Sequence, residues 1–238
     1  MRKENGRELP VIDRATAAAF SERLRRWYRR NARDLPWRRT RDAYEVLVSE
    51  LMLQQTQVSR VVTRYAEFLE QFPTLGDVAR AKSARVTEAW DGLGYYARAR
   101  NLHRLAVEVT DGGRAPDRAL PSDPATLRSL PGIGAYTAGA VSSFAYERRA
   151  ALVDTNVARV LRRAFAPAVD VKSQKGQRVV WRIAESLLPR TGRATWTHNQ
   201  ALMELGALVC TARVAHCQRC PVRSVCRSAA KPGRPQAS

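Results

Sequence analysis

All four cysteines of this 238-residue chain fall within 17 residues, with the spacing Cys210-x6-Cys217-x2-Cys220-x5-Cys226. Four thiols this close together favour one four-thiolate metal site over two disulfides. Structural zinc sites usually pair two tight Cys-x2-Cys knuckles, and only one pair is tight here. The longer loops suit a [4Fe–4S] cluster, with zinc as the alternative. Either site needs reduced thiols, so the pattern indicates a reducing compartment.

Two carboxylates are candidates for acid–base chemistry. Glu50 interrupts the apolar run Tyr44–Leu53, where a solvated charge is unfavourable. A partly buried carboxyl with a raised pKa suits proton donation, and the structural alternative is a glutamate on the wet face of a helix. Asp154 stands where a helix should begin, so we expect it to cap a helix whose dipole keeps the carboxylate ionised. A proton donor and an ionised stabiliser form the pair used in glycoside cleavage, whereas capping alone is the structural alternative for Asp154.

A glycine-rich turn, Leu130–Gly134, separates two helical segments. Gly132 and Gly134 permit a tight turn and let backbone N–H groups approach an anion at the start of the following helix. The pattern is typical of a helix-hairpin-helix that binds a DNA phosphate, and an ordinary interhelical turn is the alternative.

The charge of the chain points to a polyanionic partner. Lysine and arginine number 41 against 22 aspartates and glutamates, which gives a formal net charge of +19. Nucleic acid is the partner that such a charge favours. The chain has no apolar run long enough to span a membrane, and its first ten residues are polar and charged, so neither a membrane partner nor a secretory signal is expected.

The elements that position these residues are expected to be helices. Apolar residues recur at helical spacing, and no long polar/apolar alternation predicts a strand. One continuous helix is predicted over Tyr44–Val62, and residues 1–11 and 228–238 are expected to be flexible tails. The other predicted helices are Ala17–Arg30, Val86–Trp90, Ala97–Val109, Ala125–Leu130, a segment marked by Val157 to Phe165, Val179–Leu188 and Gln200–Cys210.

Taken together and in this order, the motifs resemble those of the helix-hairpin-helix DNA glycosylases that carry an iron–sulfur cluster, and among them the MutY-type adenine glycosylases. The resemblance runs from about Trp27 to Cys226, nearly the whole chain. The segments that carry it are Leu35–Arg38, Ser49–Val58, Gly92–Leu102, Leu130–Thr137, Val153–Val157, Met203–Ala207 and the cysteine array.

The resemblance implies an all-α, two-lobed fold with a [4Fe–4S] cluster loop. A six-helix lobe over residues 40–149 would hold the hairpin, and a second lobe, residues 12–39 with 150–227, would hold the cluster. Double-stranded DNA containing a mismatch or lesion would bind across the cleft between the lobes. The cluster, on Cys210, Cys217, Cys220 and Cys226, would be structural and would support DNA binding.

The resemblance also implies roles for single residues. Glu50 would protonate the flipped base, and Asp154 would stabilise the oxocarbenium character at the sugar. Tyr136 and Asn156 would position these groups and the attacking water. Contacts to DNA would come from Arg38, Gln54, Gln55, Thr56, Tyr95, Gly132, Gly134 and Thr137.

The implied activity is monofunctional base excision, the removal of adenine opposite 8-oxoguanine or guanine. Relatives that also cut the backbone use a lysine directly after the hairpin, where this chain has Tyr136, and no lysine occurs between Ser83 and Val171. Removal of thymine or uracil from G·T or G·U pairs is the alternative. It stays open because the chain ends 12 residues after Cys226, without the usual C-terminal 8-oxoguanine-recognition domain, and has Thr155 where many MutY-type proteins have glycine. A non-catalytic iron–sulfur DNA-binding protein is a further alternative, and a cytoplasmic, nucleoid-associated monomer is expected.

Overall fold

The computed structural model describes residues 12–115 and 117–229. Within these residues the chain forms eleven α-helices and no strand, with one isolated bridge between Cys210 and Ala215. The prediction of an all-α fold is confirmed. No helix in the described part of the chain is long and apolar enough to cross a membrane. Of the predicted flexible tails, 1–11 and 228–238, all but residues 228 and 229 lie outside the described residues.

The chain divides into two compact units. One unit, Asp34–Ala150, contains the glycine-rich hairpin and is called the hairpin unit. The other, called the cysteine unit, joins the described parts of Met1–Arg33 and Ala151–Ser238 and contains all four cysteines.

The hairpin unit holds seven helices around an aromatic and aliphatic core. Phe68 and Trp90 meet edge to face at 5.5 Å between ring centroids, and both are fully buried. Asp42 begins the second helix of the chain by accepting a hydrogen bond from the Glu45 amide at 2.9 Å. The helices are α2 Ala43–Leu53, α3 Val58–Gln71, α4 Leu75–Arg80, α5 Ser83–Glu88, α6 Ala97–Val109, α7 Pro124–Leu127 and α8 Ala135–Phe144.

The predicted continuous helix Tyr44–Val62 is wrong. Helix α2 ends at Leu53, Gln55 adopts a left-handed backbone with φ of 57°, and α3 starts at Val58. The Arg98 guanidinium donates to the main-chain carbonyls of Leu51, Met52 and Gln54. Those carbonyls therefore have a partner from outside the helix, and the helix stops.

The cysteine unit contains α1 Arg14–Asn31, α9 Thr155–Phe165, α10 Gln174–Ser186 and α11 Gly192–Leu208. Helices α1, α9 and α11 share a core in which Phe20 and Phe165 meet edge to face at 5.0 Å. Helices α10 and α11 begin several residues before the predicted starts, because Ser173 and Thr191 cap polar first turns that carry no apolar periodicity.

Candidate functional site

The carboxyl group of Glu50 lies in the core of the hairpin unit, with only 3% of the residue exposed. The Tyr136 hydroxyl, in the first turn of α8, donates a hydrogen bond to Glu50 Oε2 at 2.6 Å. The structure therefore places Glu50 away from water and fixes the direction of one of its oxygens.

The same two helices bring a second pair of predicted residues together. Gln54 follows Glu50 by one helical turn, and its Nε2 lies 3.3 Å from Thr137 Oγ1, next to Tyr136 on α8. The C-terminal end of α2 and the first turn of α8 thus bring together two pairs of polar side chains.

The hairpin glycines have different surroundings. Gly132 has φ of +77°, and a Cβ there would lie 2.6 Å from Asn101 Cβ, so it allows close packing against α6. Gly134 caps the N-terminus of α8, is exposed, and has open space where a Cβ would stand. The first N–H groups of α8 are thus accessible to an anion from solvent.

A cavity of about 460 Å³ adjoins this region of the hairpin unit. Gln55 and Tyr95 line it, both with left-handed backbones, and Tyr95 is 61% exposed. Thr56 Oγ1 lies 3.3 Å from the carbonyls of both Gln54 and Leu93, between the two loops. Arg38 lies elsewhere in the unit, half-buried at the end of the short turn Pro36–Arg38.

In the cysteine unit, Asp154 caps α9 as predicted. Its Oδ1 accepts from the Val157 amide at 2.6 Å, and its Oδ2 accepts from Asn156 Nδ2 at 3.1 Å. Burial acts against the helix dipole here, because it raises the pKa of Asp154 above its ordinary value. The two hydrogen bonds and the charge of Arg159 lower this pKa only in part.

The four cysteines are half-buried, and none forms a disulfide. Burial, with a smaller contribution from the charges of the other three cysteines, raises the pKa of Cys220 to about 11. The four sulfurs are therefore within electrostatic reach of one another. No group of three or more metal-ligating side chains among the described residues is arranged for a metal ion. The donor set itself, four free thiols with Arg163 Nη1 3.3 Å from Cys210 Sγ, fits an anionic four-thiolate centre.

The HhH-GPD superfamily of base excision DNA repair proteins is matched over residues 48–187, more than half of the chain. The chain belongs to this superfamily. The adenine DNA glycosylase of Mycolicibacterium smegmatis is 47% identical over 202 residues, which cover 84% of this chain and 66% of that protein. The adenine DNA glycosylase of Homo sapiens is 43% identical over 227 residues, covering 91% and 40%. The chain spans about half the length of the curated relatives it matches.

A solved structure has a similar fold. A thermostable thymine-DNA glycosylase superposes with a TM-score of 0.79 at 27% identity, over 90% of this chain and 96% of that one. The predicted resemblance to helix-hairpin-helix DNA glycosylases is confirmed.

Two arginines of α9, Arg159 and Arg163, were not among the site residues predicted from the sequence. Arg159 Nη2 donates to Asn156 Oδ1 at 2.7 Å, and its Nε donates to the Cys210 carbonyl at 2.9 Å. Arg163, one turn later on α9, contacts the Cys210 sulfur. Helix α9, which Asp154 caps, thus contacts the first cysteine through the side chains of Arg159 and Arg163. The spacing of Asn156, Arg159 and Arg163 on one helical face was the available signal.

Proposed function

We propose that the chain is a monofunctional DNA glycosylase that flips a mispaired adenine out of duplex DNA and hydrolyses its N-glycosidic bond. The observation that carries this proposal is the buried Glu50 carboxyl, held by Tyr136 at 2.6 Å. The relatives named adenine DNA glycosylase support adenine as the base. Flipping is needed because the glycosidic bond is not reachable inside the duplex.

Glu50 acts first, as the proton donor. Removal from water favours the neutral form of a carboxyl group, which holds the proton until a base accepts it. Adenine N7 is basic enough to accept that proton as the bond to the sugar breaks, so the base leaves without negative charge. The hydrogen bond from Tyr136 holds Oε2 and so orients the carboxyl group.

Asp154 acts as the sugar becomes positively charged. Its carboxylate stabilises the oxocarbenium character at the anomeric carbon, and Asn156 fixes Oδ2 from the side. Water then adds to that carbon and loses a proton, which leaves an abasic sugar. The raised pKa of Asp154 means that its ionised form is costly before charge develops and is favoured when the cation forms.

The exposed loops bind DNA and take no part in breaking the glycosidic bond. Gln55 and Tyr95 enter the space that the flipped base leaves, and Gly134 brings a phosphate to the N-terminus of α8. Thr137 and Gln54 lie beside the base pocket, and Arg38 and Thr56 complete the contacts. The charge of +19 supplies affinity for duplex DNA. The monomeric state and the cytoplasmic, nucleoid-associated location stay predictions.

The same site predicts an intact backbone after base removal. The residue after the hairpin is Tyr136, whose hydroxyl is committed to Glu50. A tyrosine cannot form the imine that backbone-cutting relatives need. The product is therefore an abasic site that breaks only on treatment with alkali or heat.

We further propose that the four cysteines hold a [4Fe–4S] cluster that supports the fold of residues 210–226. The donor set and the nearby guanidinium of Arg163 support this, because a four-thiolate cluster is anionic. When bound, the cluster supplies structure and no chemistry at the base.

Purified protein is expected to be brown, with broad absorbance at roughly 400 nm and about four iron atoms per chain. Iron content and sulfide content of protein expressed without oxygen provide the measurement. A Cys220→Ser variant, which removes one ligand, is expected to hold less iron. Stoichiometric zinc without iron would contradict the cluster and leave the glycosylase proposal standing.

Removal of thymine is the second candidate, because the solved thymine-DNA glycosylase covers the chain well. The chemistry at Glu50 favours adenine, since thymine offers no ring nitrogen of comparable basicity. A thymine enzyme relies instead on hydrogen bonds to carbonyl oxygens and on mismatch strain.

A panel of duplexes tests the choice of base. Adenine is offered opposite 8-oxoguanine, guanine and cytosine, and thymine and uracil are offered opposite guanine. We expect release of adenine opposite 8-oxoguanine and guanine, with thymine and uracil retained, as measured by mass spectrometry of the free base. Release of thymine without adenine would establish the second candidate. Tight binding without release of any base would establish a non-catalytic DNA-binding protein.

A further inference from the structure

Arg98 is a buried cation in an unusual place. It is the second residue of α6, and only 7% of it is exposed. A positive charge at a helix N-terminus opposes the helix dipole. Its position is therefore explained by what its side chain reaches outside α6.

The guanidinium joins two separate loops. Its Nη1 donates to the α2 end, at the carbonyls of Leu51 (2.7 Å), Met52 (3.0 Å) and Gln54 (2.6 Å). Its Nη2 donates to the carbonyls of Leu93 at 3.0 Å and Gly94 at 2.9 Å, and lies 3.3 Å from Thr56 Oγ1. One planar group thus fixes the distance between residues 51–56 and residues 93–94.

This cation has no acidic partner among the described residues. Burial lowers the pKa of Arg98, and its charge is surrounded by carbonyl and hydroxyl oxygens and by the Trp90 and Tyr95 rings, whose centres lie 5.8 and 5.5 Å away. A buried cation that is satisfied by main-chain oxygens holds those oxygens strongly, because releasing any of them leaves charge unpaired.

Each of the two loops carries a residue with a strained backbone and an exposed side chain. Gln55 and Tyr95 have φ of 57° and 49°, a region that such residues rarely adopt. Both line the cavity of about 460 Å³, and the Arg98 guanidinium lies 5.5 Å from the centre of the Tyr95 ring. Strain of this kind persists only where the surrounding contacts enforce it.

We propose that Arg98 is a positioning residue that holds Gln55 and Tyr95 as one preformed wedge. Its role in flipping rests on the proposed glycosylase function. Arg98 acts through the main chain of two loops, and the side chains that enter the DNA are those of Gln55 and Tyr95. Without the guanidinium, the two loops separate and the wedge forms only at the cost of ordering them again.

Hydrogen exchange tests, without DNA, whether Arg98 holds the two loops together. In Arg98→Met, amides of residues 53–57 and 91–95 are expected to exchange at least about tenfold faster, while α3 and α8 keep their protection. Arg98→Lys keeps the charge but offers one nitrogen in place of three, so it is expected to behave like Arg98→Met and covers the case in which the methionine variant does not fold. Arg100→Met is the matched control, since Arg100 lines the same cavity and is exposed. Unchanged exchange in both Arg98 variants, or full protection with lysine, would overturn the proposal.

A second measurement tests the consequence for DNA. With Glu50→Gln as the background, so that no base is cut, 2-aminopurine in place of the target adenine reports flipping. Adding Arg98→Met is expected to reduce the fluorescence gain about tenfold, while low-salt affinity for duplex DNA stays within about threefold, because phosphate contacts dominate it. Equal gains with and without Arg98 would overturn its role in flipping. If the Glu50→Gln protein alone gives no gain in 2-aminopurine fluorescence, that result counts against the proposed function. The hydrogen-exchange result then decides by itself whether Arg98 holds the two loops.

Discussion

Replacing Glu50 with glutamine is expected to slow adenine release in a single turnover by about 10²–10⁴-fold, the usual contribution of a general acid. Glutamine keeps the size of the side chain, and its carbonyl oxygen still accepts the hydrogen bond from Tyr136. It has no acidic proton to give to the leaving base. The dissociation constant for mismatched duplex is expected to stay within about threefold, because phosphate contacts are untouched.

Two further variants make this result specific. Glu45→Gln makes the same change from carboxyl to amide on the same helix α2 and is expected to keep full activity. Tyr136→Phe removes the hydrogen bond that orients Glu50 and is expected to cost about tenfold, the value of one well-placed hydrogen bond. An active Glu50→Gln protein would exclude Glu50 as the proton donor, whichever base is cut.

The residues that could be predicted from the sequence are those whose local pattern is anomalous. Glu50 interrupts an apolar run, Asp154 begins a helical pattern, and the four cysteines crowd into one stretch. Each anomaly is visible within a few neighbouring residues. The structure accordingly places Glu50 in a core and Asp154 at a helix N-terminus.

The features that could not be predicted depend on partners far away in the chain. The end of α2 is set by Arg98, more than 40 residues later, so apolar periodicity alone continues the helix through Gln55. The raised pKa of Asp154 comes from burial by packing, whereas capping and the helix dipole are local. Local rules therefore predicted the cap but not the effect of burial on its pKa.

Close packing between helices explains the motif Met203–Ala207, to which the sequence analysis assigned no role. A Cβ on Gly206 of α11 would lie 2.7 Å from Asn156 Cβ and 3.2 Å from the Asn156 carbonyl oxygen. The glycine lets α11 approach the first turn of α9, where Arg159 also binds the Gly206 carbonyl at 2.9 Å. The segment Met203–Ala207 thus supports the residues beside Asp154.

Glu204, in the same motif, binds Arg33, which lies two residues after the end of α1. Glu204 is fully buried, and it accepts hydrogen bonds from the Arg33 amide at 2.8 Å and from the Arg33 guanidinium at 3.0 and 2.8 Å. A buried carboxylate is stable only when it is paired in this way. Arg33 is the last residue of the cysteine unit before the chain enters the hairpin unit.

Replacing Asp154 with asparagine is expected to slow base release by about 10²–10³-fold, the effect of losing one preorganised stabiliser of developing charge. The same change is expected to keep or raise the thermal midpoint at neutral pH. Asparagine caps a helix about as well as aspartate, and it removes a buried carboxylate whose ionisation the folded state disfavours. Loss of activity and gain of stability in one variant would mark Asp154 as a residue kept for chemistry.

The pH dependence of stability separates this explanation from simple loss of a cap. Because the pKa of Asp154 is raised on folding, the folded protein binds the proton more tightly than the unfolded chain. Its contribution to the free energy of unfolding therefore falls as pH rises from the ordinary aspartate value through the raised value. The gain from Asp154→Asn should grow over that window and then stay constant. Asp13 is the matched control, since it caps α1 and its pKa is lowered by the Thr16 amide. Asp13→Asn should lower the midpoint at neutral pH and lose its effect in acid, and the same direction of change in both variants would contradict the role given to burial at Asp154.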